Sequence, residues 1–202
     1  HINKYIKDES LRKKLVPTYR LGCKRVLLSN NYYPALAQPN VDVVTDGIEK
    51  FTANSVVTKD GQERKIDAVI MATGFHIADS FQYYDVRGKN GITFKEAFQN
   101  GPAAYYGAAV HNFPNMFMML GPNTGLGHNS MVYMIESQTN YVIDAVQKMM
   151  RQNIKSIEVK QDVQDKFNEE IQKKLVGTVW QSGCKSWYIT EDGKNHTVWP
   201  GF

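Results

Sequence analysis

The chain has 202 residues, a formal net charge of +4, 42% hydrophobic and 22% charged residues, which is a globular composition long enough for one good core or two small ones. Its Lys and Arg residues are scattered and accompany no nucleic-acid-binding motif, which argues against a nucleic-acid partner. No apolar run reaches the ~20 residues of a membrane span, and no basic-then-apolar start suggests a secretory signal.

Residues 2–14 are charged and expected to be helical, and Leu15-Val16-Pro17 ends the helix because the residue before proline disfavours the α region. Gly22-Cys23-Lys24-Arg25-Val26-Leu27-Leu28-Ser29 reads as a turn, two cations and a short apolar strand. Asn30-Asn31 is turn chemistry, followed by a short helix over 32–37 and a second strand over 41–44. Short antiparallel strands are expected at 48–51, 55–59 and 63–66, with Asp60-Gly61 as the hairpin signal. Ile66-Asp67-Ala68-Val69-Ile70-Met71-Ala72-Thr73-Gly74-Phe75 then presents an apolar run between a charge and a glycine, the pattern of a buried parallel strand. Ligands of open α/β sheets sit at the carboxyl ends of such strands, where Thr73-Gly74 lies. An ordinary core strand with a glycine stop has the same pattern.

Residues 75–109 are loop-rich, which marks a functional stretch or an excursion onto another domain. Met116–Leu120 reads as another buried strand, ending in Gly121-Pro122-Asn123-Thr124-Gly125-Leu126-Gly127-His128-Asn129-Ser130. A helix is expected from near Ser130 to about Arg151, with Asn129 or Ser130 as N-cap and Met131, Ile135, Val142, Val146 and Met149 as its apolar stripe. A last helix runs from about Asp162 to Leu175, before a tail holding Trp180, Trp187, Tyr188, Trp199 and Phe202. Two cysteines, Cys23 and Cys184, are too few for a disulfide framework and point to a reducing cytosol. The Asn195-His196-Thr197 sequon reads as chance, and a start at His1 rather than Met as a processed or cut piece.

Two of these stretches suit chemistry. A glycine-rich turn leading into a helix N-terminus offers unpaired N–H groups and about half a positive charge to an anion. Its spacing is not G-x-G-x-x-G, and a flexible strand-to-helix loop fits equally well. Adjacent Lys24 and Arg25 at a strand start would point to opposite faces, and a solvated charge pair has the same form. There is no H-E-x-x-H, no paired-cysteine spacing and no P-loop, so no metal is expected.

Asp67–Phe75 closely resembles the "ATG" strand of two-dinucleotide-domain flavoprotein monooxygenases, the crossing from the NADPH domain back to the FAD domain. Phe113-Pro114-Asn115 with Gly121-Pro122-Asn123, the Lys24-Arg25 pair, and Ser186-Trp187-Tyr188 with Trp199-Pro200-Gly201 join it in the family's order. From about Leu11 to Phe202 the chain resembles the C-terminal part of a Baeyer–Villiger monooxygenase. The resemblance implies an α/β fold made of the C-terminal parts of two Rossmann-like dinucleotide-binding domains, 1–65 for NADP and 66–202 for FAD, both incomplete. It implies FAD and NADPH as cofactors, with Lys24 at the 2′-phosphate of NADP. Thr73, Gly74, Gly121, Pro122, Asn123 and Asn129 would be cofactor-binding, and Trp187 would reach the NADP side. Arg25 would be catalytic, stabilising an anionic flavin C4a-peroxide that attacks a ketone to give an ester or lactone; a protonated peroxide would oxygenate nitrogen or sulfur instead.

Both glycine fingerprints of the family lie upstream of these residues. The chain alone is therefore expected to be inactive, to need the N-terminal part of the same protein, and to pair with itself through unpaired strand edges. Tyr105-x-Gly107-x-x-x-His111 echoes the family's F-x-G-x-x-x-H sequence, but reads as coincidence, so His111 is given no catalytic role. His76 and His128 flank the two glycine turns as polar loop residues.

Overall fold

The computed structural model describes residues 2–75, 77, 80–183, 185–190 and 192–201, without the side chains of Ser80 and Gln82. His1, His76, Cys184 and Phe202, named above, lie outside them. The chain divides into two compact units, His1–Thr18 with Leu27–Gly74, and Tyr19–Val26 with Phe75–Phe202. This division places Lys24 and Arg25 in the second unit and Thr73-Gly74 in the first.

In the first unit the charged N-terminus forms two helices rather than one, α1 (Ile2–Tyr5) and α2 (Glu9–Leu15). Asp8 restarts the chain by accepting the Ser10 N–H at 2.8 Å as an N-cap. Val16 is extended at ψ 119°, as its position before Pro17 demands. After α3 (Tyr32–Leu36), strands β1 (Ile48–Phe51), β2 (Ser55–Thr58) and β3 (Glu63–Lys65) form an antiparallel sheet in the order β1-β2-β3. The β2–β3 hairpin turns at Gly61, whose φ of +81° suits a residue without Cβ.

Four expected strands are not strands. Segments 26–29, 41–44, 66–72 and 116–120 have no ladder partner among the described residues. Leu28 is 96% exposed and Ile70 93%, where a buried parallel strand was expected. A parallel strand needs neighbours on both edges and cover on both faces, all contributed by remote segments. Only the local hairpins of this chain satisfy their own ladders. Segment 116–120 is held differently, by Met118 N–H donating to Ala108 O at 2.8 Å.

The second unit is built on α4 (Phe94–Ala97), α5 (Met131–Gln152) and α6 (Gln161–Leu175). Thr93 and Glu96 close a full capping box around α4. Phe94 stacks on Phe98 at 5.1 Å and packs tilted on Phe113 at 4.7 Å, forming one core cluster with Ala104 and Val110. A second cluster joins Ile171 and Leu175 of α6 to Tyr188 and Val198 of the tail. The buried side of α5 is centred on Gln138 and Ala145, so Ile135 and Val146 of the expected stripe are exposed instead. Gln138 is buried because its amide serves the backbone, accepting from Leu120 N–H at 2.8 Å and donating to Tyr106 O at 2.9 Å. Val132, Ile143, Val146 and Met150 leave α5 with a second, exposed apolar side.

Glu158 ties the α5–α6 connection to the loop before it, accepting from Lys89 Nζ and from Asn112 N–H at 2.8 Å. The Lys89 hydrogen bond holds its carboxyl below the usual value of 4.5. A carboxyl depressed on folding contributes stability above its unfolded pKa, and loses it as pH falls through the folded one. Glu158→Gln is therefore expected to destabilise the protein at neutral pH, by a margin that shrinks as pH falls below about 4.5. Urea midpoints of both proteins at several pH values check this; a pH-independent margin would count against it.

Candidate functional site

The turn after Leu120 has an inner and an outer half. The inner half, Gly121 to Thr124, is buried. A Cβ at Gly121 would stand 2.4 Å from Gly107 O, and one at Gly107 would stand 2.1 Å from Thr124 Cγ2, so the two glycines permit a backbone-to-backbone crossing within the protein. Asn123, only 2% exposed, donates Nδ2 to Asn195 O at 2.7 Å and to Val198 O at 3.1 Å. The outer half, Gly127 to Ser130, is exposed and runs straight into α5. Ser130 makes no side-chain cap bond and the first turn of α5 carries no acid. The leading N–H groups of this 22-residue helix are thus left for an outside acceptor.

Of the residues singled out from sequence, Asn129 is exposed beside that helix start, its Oδ1 accepting Ser130 N–H at 2.7 Å. Gly121, Pro122 and Asn123 lie behind it, shaping the turn from inside. Lys24 and Arg25 are both exposed, just after the buried Cys23. Lys24 Nζ lies 4.8 Å from the Tyr19 ring centroid. Their segment follows a turn at Gly22, where an added Cβ would be 3.4 Å from Val179. The next residue, Trp180, stands 3.6 Å from the Cβ position of Gly127 and 5.4 Å from the His128 ring. Val179-Trp180 therefore lies between the Gly22 turn, which precedes the cation pair, and the outer turn. No sequence pattern had marked this pair of residues, because its role depends on which loops meet there.

Trp187 is 39% exposed and packs edge-on against the buried Tyr188. Thr73 and Gly74, in the other unit, are exposed, and a Cβ at Gly74 would meet none of the described residues within 4 Å. Cys23 is disulfide-bonded, so the cysteine count lends no support to a reducing compartment. The sequon residue Asn195 is 0% exposed and beyond the reach of a glycosylating enzyme in the folded protein.

Beside the outer turn an apolar pocket of about 310 Å³ opens between Leu126, Asn129, Tyr133, Tyr141 and Trp199. A larger polar cleft of about 790 Å³ faces α6. It includes His111, whose Nδ1 lies 3.0 Å from Val159 O and 3.2 Å from Glu158. Among the described residues no group of His, Cys, Asp or Glu could hold a metal ion, and no helix is long and apolar enough to cross a membrane.

No protein-family model matches the chain. A Baeyer–Villiger monooxygenase of Pseudomonas aeruginosa is 52% identical over 204 aligned residues, covering 100% of the chain and 39% of that protein. Another from Streptomyces coelicolor is 43% identical, over 97% of the chain and 38% of that protein. Cyclohexanone monooxygenase from Rhodococcus sp. Phi1, solved with NADP+, superimposes with a TM-score of 0.85 at 30% identity, over 98% of the chain and 38% of its own. The chain thus spans between 31% and 39% of the length of these curated relatives, and aligns with their C-terminal part.

Proposed function

We propose that this chain, which belongs with the flavin-dependent monooxygenases of the Baeyer–Villiger type as their C-terminal part, serves an FAD- and NADPH-dependent enzyme that inserts one atom of O2 into a ketone. Residues 1–65 complete the NADP-binding domain and 66–202 the FAD-binding domain. The observation that supports the reading is that, in one unit, the Gly22 turn preceding the exposed Lys24 and Arg25 and the turn entering the acid-free start of α5 both lie against Val179-Trp180. That donor set fits an anionic cofactor with a flat ring: backbone N–H groups and an amide for the ring edge, cations for phosphate and for developing charge.

FAD, when bound, supplies the hydride acceptance and oxygen activation that no protein side chain can perform. The chain's own residues do the rest. The N–H groups at the start of α5 and the Asn129 amide donate to negative charge on the ring edge. Lys24 meets the 2′-phosphate of NADP as a point charge, and Trp187 covers the NADP side. Thr73 and Gly74 are exposed, and among the described residues nothing lies within 4 Å of a Cβ placed on Gly74, so this backbone is open to a ligand. Arg25 would supply a permanent cation for negative charge developing at the cofactor, which would favour oxygenation of a ketone over nitrogen or sulfur. The apolar pocket beside Asn129 suits a nonpolar ketone. NADPH supply places the enzyme in the cytoplasm.

The chain alone lacks both glycine fingerprints and exposes one apolar side of α5, so it is expected to self-associate and to bind no FAD tightly. Titration with FAD, read by flavin fluorescence, checks this. Saturable micromolar binding by the chain alone would remove the case for a split site. Failure to bind after the N-terminal part is supplied would remove the flavin assignment itself.

A further inference from the structure

The turn that faces the proposed flavin is fastened from behind by the C-terminal tail. Asn123 N–H donates to His196 O at 2.8 Å, Gly125 N–H to Thr197 O at 2.7 Å, and Trp199 N–H to Gly125 O at 2.9 Å, making a parallel bridge between Gly125 and Val198. Asn195 braces the tail in the conformation that offers these groups. This residue is fully buried, and its Oδ1 accepts both Thr197 N–H at 3.0 Å and Val198 N–H at 2.9 Å. Its backbone is gripped in turn by Gln172 of α6, whose Nε2 donates to Asn195 O at 2.8 Å while its Oε1 accepts Asn195 N–H at 3.2 Å. The side chain of Gln172 thus takes the part of a neighbouring β-strand.

We infer that Gln172 and Asn195 are positioning residues for the cofactor, setting from α6 the conformation of the Gly121–Ser130 turn and so the aim of the α5 N–H groups. The inference rests on the flavin reading above and extends it to groups that touch no cofactor. Its physical basis is that a glycine-rich turn has little conformational preference of its own. The turn must be held by partners, and a donor aimed loosely loses much of its effect on charge. The two-pronged amide gives α6 a grip on the tail that hydrophobic packing of Leu175 and Val198 would not aim.

The test uses the full-length enzyme with Gln172→Met, which keeps volume and helix propensity but removes both bonds. Ile171→Val, one residue away in the core of α6, is the control for lost stability alone. The expected result is a rise of about tenfold in the FAD dissociation constant for Gln172→Met, with KM for NADPH changed less than twofold and the control unchanged in both. Asn195→Ala is expected to go further in the same direction. Should Asn195→Ala not fold, Gln172→Met carries the decision, and Gln172→Glu, which keeps the acceptor for Asn195 N–H, should fall between it and wild type. An unchanged FAD constant in folded Gln172→Met, or an equal rise in Ile171→Val, would overturn the inference alone. Wild-type enzyme without FAD would overturn it together with the flavin reading.

Discussion

Replacing Arg25 by alanine in the full-length enzyme is expected to lower ketone oxygenation about 10²- to 10³-fold, the usual loss when one preorganised donor to developing charge is removed. FAD binding should survive, because the donor set at the start of α5 lies on a different element. NADPH oxidation should continue, with hydrogen peroxide replacing the oxygenated product. Arg25→Lys should restore only part of the rate, since an ammonium keeps the charge but not the planar fork of donors. Arg25 follows directly on the turn that Val179 packs against, so its backbone starts from a fixed point even though its side chain is exposed. Product analysis by gas chromatography alongside NADPH consumption reads both outcomes. An alanine variant that oxygenates ketones within twofold of wild type would strip Arg25 of this role.

Gly107→Ala is expected to destabilise the protein by about 3 kcal/mol, from the left-handed backbone and from overpacking together. Gly107 has a φ of +62°, and a Cβ there would stand 2.1 Å from Thr124 Cγ2 and 2.8 Å from Pro122 O. Neither neighbour can yield easily. Thr124 is buried with its hydroxyl donating to Gly121 O at 2.6 Å, and Pro122 lies in the same buried half-turn. Gly177→Ala is the contrast, because its φ is +81° but none of the described residues lies within 4 Å of the added atom. It should cost only about 1 kcal/mol. Urea unfolding of the two variants measures the difference, and equal costs would mean that the crossing of Gly107 over the turn is not close-packed. The same substitution should weaken FAD binding in the full-length enzyme, since the atoms displaced are those that carry the turn.

Local order was legible because local rules govern it. The span of α6, the Asp60-Gly61 hairpin and the stop at Val16-Pro17 each depend on neighbours a few residues away, and each is found where expected, although Val163 of α6 is exposed. The parallel strands were not, because their burial depends on segments remote in sequence. Ile70 and Leu28 have every feature of core strand residues and are almost fully exposed. The side of α5 that faces the core was read only in part from its apolar residues, since Met131, Val142 and Met149 are half-buried while Ile135 and Val146 are exposed. Its apolar residues surround much of the helix, and the choice fell to Gln138, a polar side chain that backbone groups of the turn and of Tyr106 required.

The same distinction divides the candidate site. Sequence alone determined that a glycine-rich turn enters a long helix, that Lys24 and Arg25 stand together, and which family these motifs resemble. It did so because each is a property of adjacent residues. Only the tertiary structure decided that Gly121, Pro122 and Asn123 lie behind the turn while Asn129 stands at its face. Only there do Val179 and Trp180 lie between the Gly22 turn and the glycine-rich turn, and Gln172 and Asn195 fasten the latter. A glycine-rich segment has no shape until something distant grips it, and the grip is made of single hydrogen bonds between residues up to 75 apart in sequence, as between Asn123 and Val198.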